Sequence, residues 1–285
     1  MMQSMDPQEI KQRVLQEWAR AAPGWRKHDT RLRETSEPVT LRMLELAAIA
    51  PGQRVLDIAS GSGEPAIPAA EVVGLEGYVL GTDISADMLE IAREKAQARG
   101  LNNIEFLVVD GEELDVEAES FDAVLCRWGI MFMPEPVRCL RQAHQALKPG
   151  GRIVVTVWGP PERNPFFTVP MSVLRQHIDV PPPQPGAPGI FAFADPDRLA
   201  SALQEAGFRD AQVEETVLPM ALFDSGEEYW QFTRELAAPI AALVAQLPPD
   251  TQHAISREVA EAAVAGSPEG KVSLNGSPLF ACGVK

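Results

Sequence analysis

The chain has 285 residues, is 45% hydrophobic and carries a formal net charge of −15. That length and apolar fraction suit one large domain, or a core domain with a substantial insertion. The acidity argues against nucleic acid or an anionic membrane as the main partner, because both are gripped through basic surfaces. Cys126, Cys139 and Cys282 form no CxxC pair, and no His/Cys cluster has metal spacing, so no metal is expected and a reducing compartment is. No run approaches the roughly 20 apolar residues that span a bilayer. The opening DPQEIKQRVLQEW has no signal-peptide core. A cytoplasmic location without membrane insertion is expected, as a monomer or homodimer.

In chain order, Asp6, Pro7 and Glu9 open a helix with Ile10, Val14 and Trp18 at helical spacing. Ala22-Pro23-Gly24 is expected to end it. A second helix, about Val39–Ala48, leads into the turn Ala50-Pro51-Gly52. Strands and helices then alternate: strand Arg54–Ile58, helix Pro65–Val73, strand Tyr78–Thr82, and a helix capped by Ser85 and running to Gly100. Strands Ile104–Val109 and Phe121–Cys126, helix Val137–Leu147 and strand Gly151–Trp158 follow. This rhythm implies βαβ units and a parallel sheet.

Beyond Trp158 the pattern loosens and becomes rich in Pro and Phe. Helices are read near Thr168–Ile178 and over Asp195–Ala206, Glu227–Leu247 and His253–Ala265, with strands at Ala211–Leu218 and Leu279–Val284. The division expected is a helical cap (1–50), a cofactor-binding core (51–158) and a remainder (159–285). Two insertions, about 159–193 and 224–272, are read as a lid.

The chemistry concentrates where the first strand turns into a helix. Asp57-Ile-Ala59-Ser-Gly61-Ser-Gly63 places glycines where a ligand can approach the backbone closely. Asp83 follows Gly63 at the end of the second strand, where a carboxylate accepts hydrogen bonds from ribose hydroxyls. Gly61-Ser-Gly63-Glu-Pro-Ala66 also matches a dinucleotide fingerprint, which keeps an NAD-dependent oxidoreductase as the alternative. Asp57 and Glu64 weigh against it, because they would repel a pyrophosphate at this turn. They suit a ligand carrying an ammonium and a sulfonium.

These motifs resemble those of the class I methyltransferases dependent on S-adenosylmethionine (SAM), of the kind grouped with the ubiquinone and menaquinone C-methyltransferases. Ala59 stands where the family's first motif has its first glycine. The resemblance implies that Asp83 binds ribose, that Ile84 lies against adenine with Met88 nearby, and that Asp110, followed by Gly111, meets the adenine amino group. Phe121-Asp122-Ala-Val and Leu147-Lys-Pro-Gly-Gly151 resemble the fourth strand and the turn before the fifth. Arg127-Trp128-Gly129 falls where the family keeps the methionine end of the cofactor and the acceptor, and Arg127 is a candidate contact. The implied fold is α/β, a doubly wound Rossmann-like seven-stranded sheet, mostly parallel with the last strand antiparallel, under a helical lid.

The expected function is methyl transfer to a C, O or N atom of a small, largely apolar or aromatic acceptor. A SAM-binding protein without methyl transfer, such as a cyclase, shares every cofactor motif. No catalytic residue is assigned. His28 is a candidate base, with a surface histidine as the plainer reading. His144 is expected on a solvent-facing helix, and His177 and His253 lie in the lid without an evident partner. Trp25, Trp128 and aromatic residues from Phe166 to Phe232 are read as pocket walls or lid packing. Asp122 is read as orienting a strand entrance.

Overall fold

A computed structural model describes residues 6–180, 186–265 and 267–285. Residues 1–5 of the expected cap, and 181–185 and 266 of the expected insertions, lie outside the described residues. Helices α1 (Pro7–Lys27) and α2 (Asp29–Leu46) precede the alternating core. The core runs through β1 (Arg54–Ile58), α3 (Ala66–Val73), β2 (Tyr78–Asp83), α4 (Ala86–Ala98), β3 (Ile104–Val108), β4 (Phe121–Arg127), α5 (Pro136–Ala146) and β5 (Leu147–Trp158). Then come α6 (Pro165–His177), α7 (Pro196–Glu205), β6 (Arg209–Glu215) and β7 (Leu218–Phe223). Helices α8 (Gly226–Leu236), α9 (Ala238–Ala245) and α10 (Pro249–Val264) lead to β8 (Val272–Gly276) and β9 (Pro278–Val284).

Seven strands form one sheet in the order β3-β2-β1-β4-β5-β9-β6. Strand β9 runs antiparallel to both β5 and β6, while β1 pairs in parallel with β2 and β4. The apolar runs of β1, β4 and β5 are buried on both faces, as parallel strands under helices must be. One face packs Val39 and Met43 of α2 with Ala66, Ala69 and Val73 of α3. The other packs Leu140 and Ala143 of α5 with Leu199 and Leu203 of α7. Reversal of strand order between β1 and β4 opens a crevice at the carboxyl ends of the strands, where ligands of such sheets bind.

The lid has a core of its own. Leu174, Tyr229, Trp230, Ile255 and Val259 join Ala221, Phe223 and Val272 of the antiparallel pair β7–β8. Asn164 fastens this lid to the sheet. It is fully buried, its amide donates to the carbonyls of Gly159 and Pro160, and its oxygen accepts the Ser277 N–H at 2.8 Å.

Three expectations need correction. Helix α1 does not stop at Pro23 but runs to Lys27, held by packing of Trp25 on α4. Helix α2 begins ten residues before Val39, at Asp29, with Pro38 inside it. The single helix expected over Glu227–Leu247 breaks at Ala237 (φ −98°, ψ 78°), because Pro239 has no N–H to extend a helix. The small antiparallel pair β7–β8, which packs against the helical lid, was not expected at all.

Candidate active site

Asp57 is fully buried near the end of β1. Its Oδ2 accepts the N–H of Ala66, the first residue of α3, at 3.1 Å. Its Oδ1 is buried with no hydrogen-bond partner. Burial pushes the carboxyl up to about 7, against the opposing pull of Ser60 and the Arg127 charge. The following turn takes left-handed backbone at Ala59 (φ 59°), Gly61 (φ 52°) and Gly63 (φ 95°). A Cβ on Gly63 would lie 2.6 Å from Ile67 Cδ1, so this glycine presses the turn onto α3. Ala59 carries its side chain in a conformation that favours glycine, which is the residue the related motif has there.

Asp83 ties the tip of β2 to that turn. Its Oδ2 accepts the Gly61 N–H at 2.9 Å and its Oδ1 the Ser85 N–H at 2.8 Å. Each oxygen retains a second lone pair for a further donor. Burial raises its pKa, partly offset by these N–H groups. Ser85 caps α4, and Met88 lies buried beneath the turn, its Cε 3.5 Å from where a Gly61 Cβ would sit. Ile84, between them, is half-buried. Trp18 and Trp25 of α1 pack onto Met88 and Ile91, and Trp18 also meets Phe132 edge-on at 5.8 Å.

Asp110 caps a short 3₁₀ turn, accepting the Glu112 N–H at 2.9 Å. Gly111 backs onto the end of β1, where a Cβ would lie 2.8 Å from Ile58 Cγ2. So Asp57, Asp83, Asp110 and Gly111 gather on one edge of the sheet. Sequence reasoning missed the ion that completes this corner. Lys11 Nζ of α1 sits 2.5 Å from Asp110 Oδ2 and 2.6 Å from Glu112 Oε2. Glu112 is fully buried, and its Oε1 accepts the Glu135 N–H. Burial opposes the Lys11 charge, but the two carboxylates outweigh it and hold the ammonium above its ordinary pKa. The missed signal was spacing: Lys11, Trp18 and Trp25 fall seven apart, on one helix face.

Arg127, at the end of β4, reaches α2 and not a carboxylate. Its Nη1 donates to Ser36 Oγ at 2.8 Å and Thr40 Oγ1 at 2.9 Å. Burial lowers its pKa, while Glu64 and Asp57 pull it back up. Trp128 adopts φ 57° and stacks on Trp158 at 4.6 Å and 12°. Its indole N–H is buried without a partner. Gly129 brings the β4 tip against β1, since a Cβ there would lie 2.5 Å from Ala59 Cβ. From Trp158 an aromatic file continues through Phe167 to Phe166 and Phe191.

The histidines stand apart from this corner. His28 pairs with Glu235 at 2.6 Å, half-buried against Phe232, so it is not a free surface group. His177, read as unpartnered, pairs with Glu258 at 2.7 Å. His144, expected to face solvent, packs edge-on to Phe208 at 5.1 Å. His253 is exposed. Asp122 accepts the Arg54 N–H and pairs with Lys148, orienting the strand entrance as expected. Among the described residues, no cluster of His, Cys, Asp and Glu could hold a metal, and no helix is long and apolar enough to cross a membrane.

A profile described as a methyltransferase domain matches residues 49–163. The chain is 30% identical over 187 residues to a demethylmenaquinone methyltransferase of Geobacillus kaustophilus, covering 61% of this chain and 79% of that protein. It belongs to the class I SAM-dependent methyltransferases. It is also 41% identical over 119 residues to the aklanonic acid methyltransferase DauC of a Streptomyces species, covering 42% of this chain. There it spans only about half, 54%, of the relative's length. The solved cyclase SpnF shares the fold, with a TM-score of 0.62, 20% identity and 96% of each chain covered.

The residues present in this family member fit SAM. Asp57 Oδ1 and Glu64 Oε1 are buried acceptors lacking a hydrogen bond, the Glu64 oxygen having only Lys95 Nζ at 3.9 Å. Two buried carboxylates at the turn suit a cationic ligand and oppose a pyrophosphate, which disfavours the oxidoreductase alternative.

Proposed function

We propose that this chain transfers the SAM methyl group to a C, O or N atom of a small, largely apolar or aromatic acceptor. The observation that carries the reading is the gathering of Asp57, Asp83 and Asp110 on one sheet edge, with an unpaired buried oxygen on Asp57. In this reading Asp83 takes the ribose hydroxyls. Asp110, Gly111 and Ile84 take the adenine, with Met88 beneath. Asp57, Ala59, Gly61, Gly63 and Arg127 form the methionine end. SAM supplies an electrophilic methyl on a sulfonium.

What the chain adds is alignment. A displacement at so electrophilic a carbon gains mainly from proximity and orientation. Trp128, held by Trp158 and by the Arg127 guanidinium 4.9 Å from its ring, gives the acceptor a fixed wall. Phe166, Phe167 and Phe191 continue that wall into the lid and exclude water. Helices α1 and α2 act as the cap, and residues 159–193 and 224–272 as the acceptor lid. The names of the two sequence relatives, which methylate demethylmenaquinone and aklanonic acid, support a quinone-like or polyketide-like acceptor.

Calorimetry with SAM tests the site. Asp83→Ala removes both the ribose acceptor and the Gly61 tether, and should weaken binding at least tenfold, about 1.4 kcal/mol. Undiminished affinity would sink the assignment. Incubation with isotope-labelled SAM and a metabolite extract then separates transfer from binding alone, by whether a labelled product forms.

A further inference from the structure

Lys11 and Glu112 have no part in the chemistry above, yet with Asp110 they form the most enclosed ion cluster among the described residues that joins the N-terminal helix to the cofactor edge. Lys11 is 8% exposed and Glu112 is fully buried. Asp110 is held on both oxygens, Oδ1 taking the Glu112 N–H and Oδ2 the Lys11 ammonium, and each keeps a lone pair for a further donor. Helix α1 then runs along the cofactor edge, laying Trp18 and Trp25 over Met88 and Ile91. The Trp25 indole N–H is buried there without a partner. The far end of α1 is fastened where Lys27 and His28 pair with Glu235.

We infer that Lys11 is a positioning residue that latches α1 across the adenine end of the site and so governs cofactor exchange. The inference rests on the adenosine reading of Asp83 and Asp110 given above. Uncovering that end requires α1 to lift, and lifting pulls the Lys11 ammonium from two carboxylates. Opening leaves Glu112 charged without its counter-ion, which is costly in a dry environment. Latch and ligand also share one side chain. A bound adenine amino group donates to the same Asp110 carboxylate that Lys11 keeps ionised and fixed in place, so docking of α1 and retention of adenosine reinforce each other.

The test follows release of S-adenosylhomocysteine from the full-length protein by stopped-flow tryptophan fluorescence, since Trp18 and Trp25 lie at the site. The proteins compared are wild type, Lys11→Arg, Lys11→Met, and Lys11→Met combined with Glu112→Gln. The combined variant removes the buried charge that would otherwise endanger folding. Lys11→Met and the combined variant should release the ligand roughly tenfold faster, the effect of truncating a buried charge pair falling on dissociation. Lys11→Arg, which keeps the charge, should stay near wild type. A purely structural Lys11 would lower the melting temperature and leave the release rate of the folded combined variant unchanged, and that result overturns the latch. If wild type fails to bind S-adenosylhomocysteine at all, the adenosine reading falls and takes the latch with it.

Discussion

Asp57 joins two demands that conflict in the absence of a ligand. Its Oδ2 anchors the start of α3, while burial favours the protonated acid until about pH 7. The folded pKa lies above the ordinary 3.8, so the native state holds a proton that the unfolded chain has released. The stability this group contributes is therefore complete below 3.8 and is lost as the pH rises through 7. A cationic ligand reverses the preference, because it favours the carboxylate. SAM affinity should climb with pH from 5 to 7, approaching roughly tenfold per unit at the acid end. Calorimetry in buffers of different ionisation enthalpy should show one proton released per ligand bound below 7. Asp57→Asn should flatten the profile, and a flat wild-type profile would refute the account. The placement of Asp57, Asp83 and Asp110 was legible in the sequence because each lies at or just past the carboxyl end of a strand with a clear apolar run. Lys11 and Glu112 were not: the seven-residue spacing of Lys11, Trp18 and Trp25 marks a helix face, but the carboxylate it meets lies a hundred positions away.

At the scale of elements, the cap is set by how closely α1 approaches α8. A Cβ on Gly24 would lie 2.0 Å from the Glu235 carbonyl oxygen, a backbone atom that cannot swing aside. Gly24→Ala should therefore push the two helices apart and cost about 1–3 kcal/mol as overpacking, although alanine is the better helix former. Chemical denaturation measures this, and a neutral or stabilising result would mean that the cap yields freely. The same contact explains why Pro23-Gly24 misleads as a helix stop. Local preference favours ending there, but Trp25 on α4 and Glu235 against Lys27 and His28 hold the last turn in place. The core strands were readable because apolar runs between turn residues carry their own signal. Strands β7 and β8 pair across some fifty residues, and Pro219 interrupts the first, so neither stood out. Likewise Ser36 and Thr40 gave no sign of meeting Arg127, since the contact exists only once α2 packs on the sheet.

Among the described residues, the apolar clusters on the two faces of the sheet are distinct from the one within the lid, to which the sheet is joined through Phe166 and the Asn164 clasp. Native-state hydrogen exchange should resolve sheet and lid as separate cooperative units, with β1, β4 and β5 opening at higher free energy than α8 and α10. A single opening free energy for both would show that the clasp makes them one unit. Strand β9 bears on how such a chain is made. It lies between β5 and β6 in the sheet but follows every other described strand in the sequence. During synthesis, β5 and β6 therefore wait with unpaired edges while the lid segment between them and β9 emerges from the ribosome. Unpaired edges invite association with other chains. A nascent chain stalled before residue 278 is thus the form of this protein most in need of a chaperone.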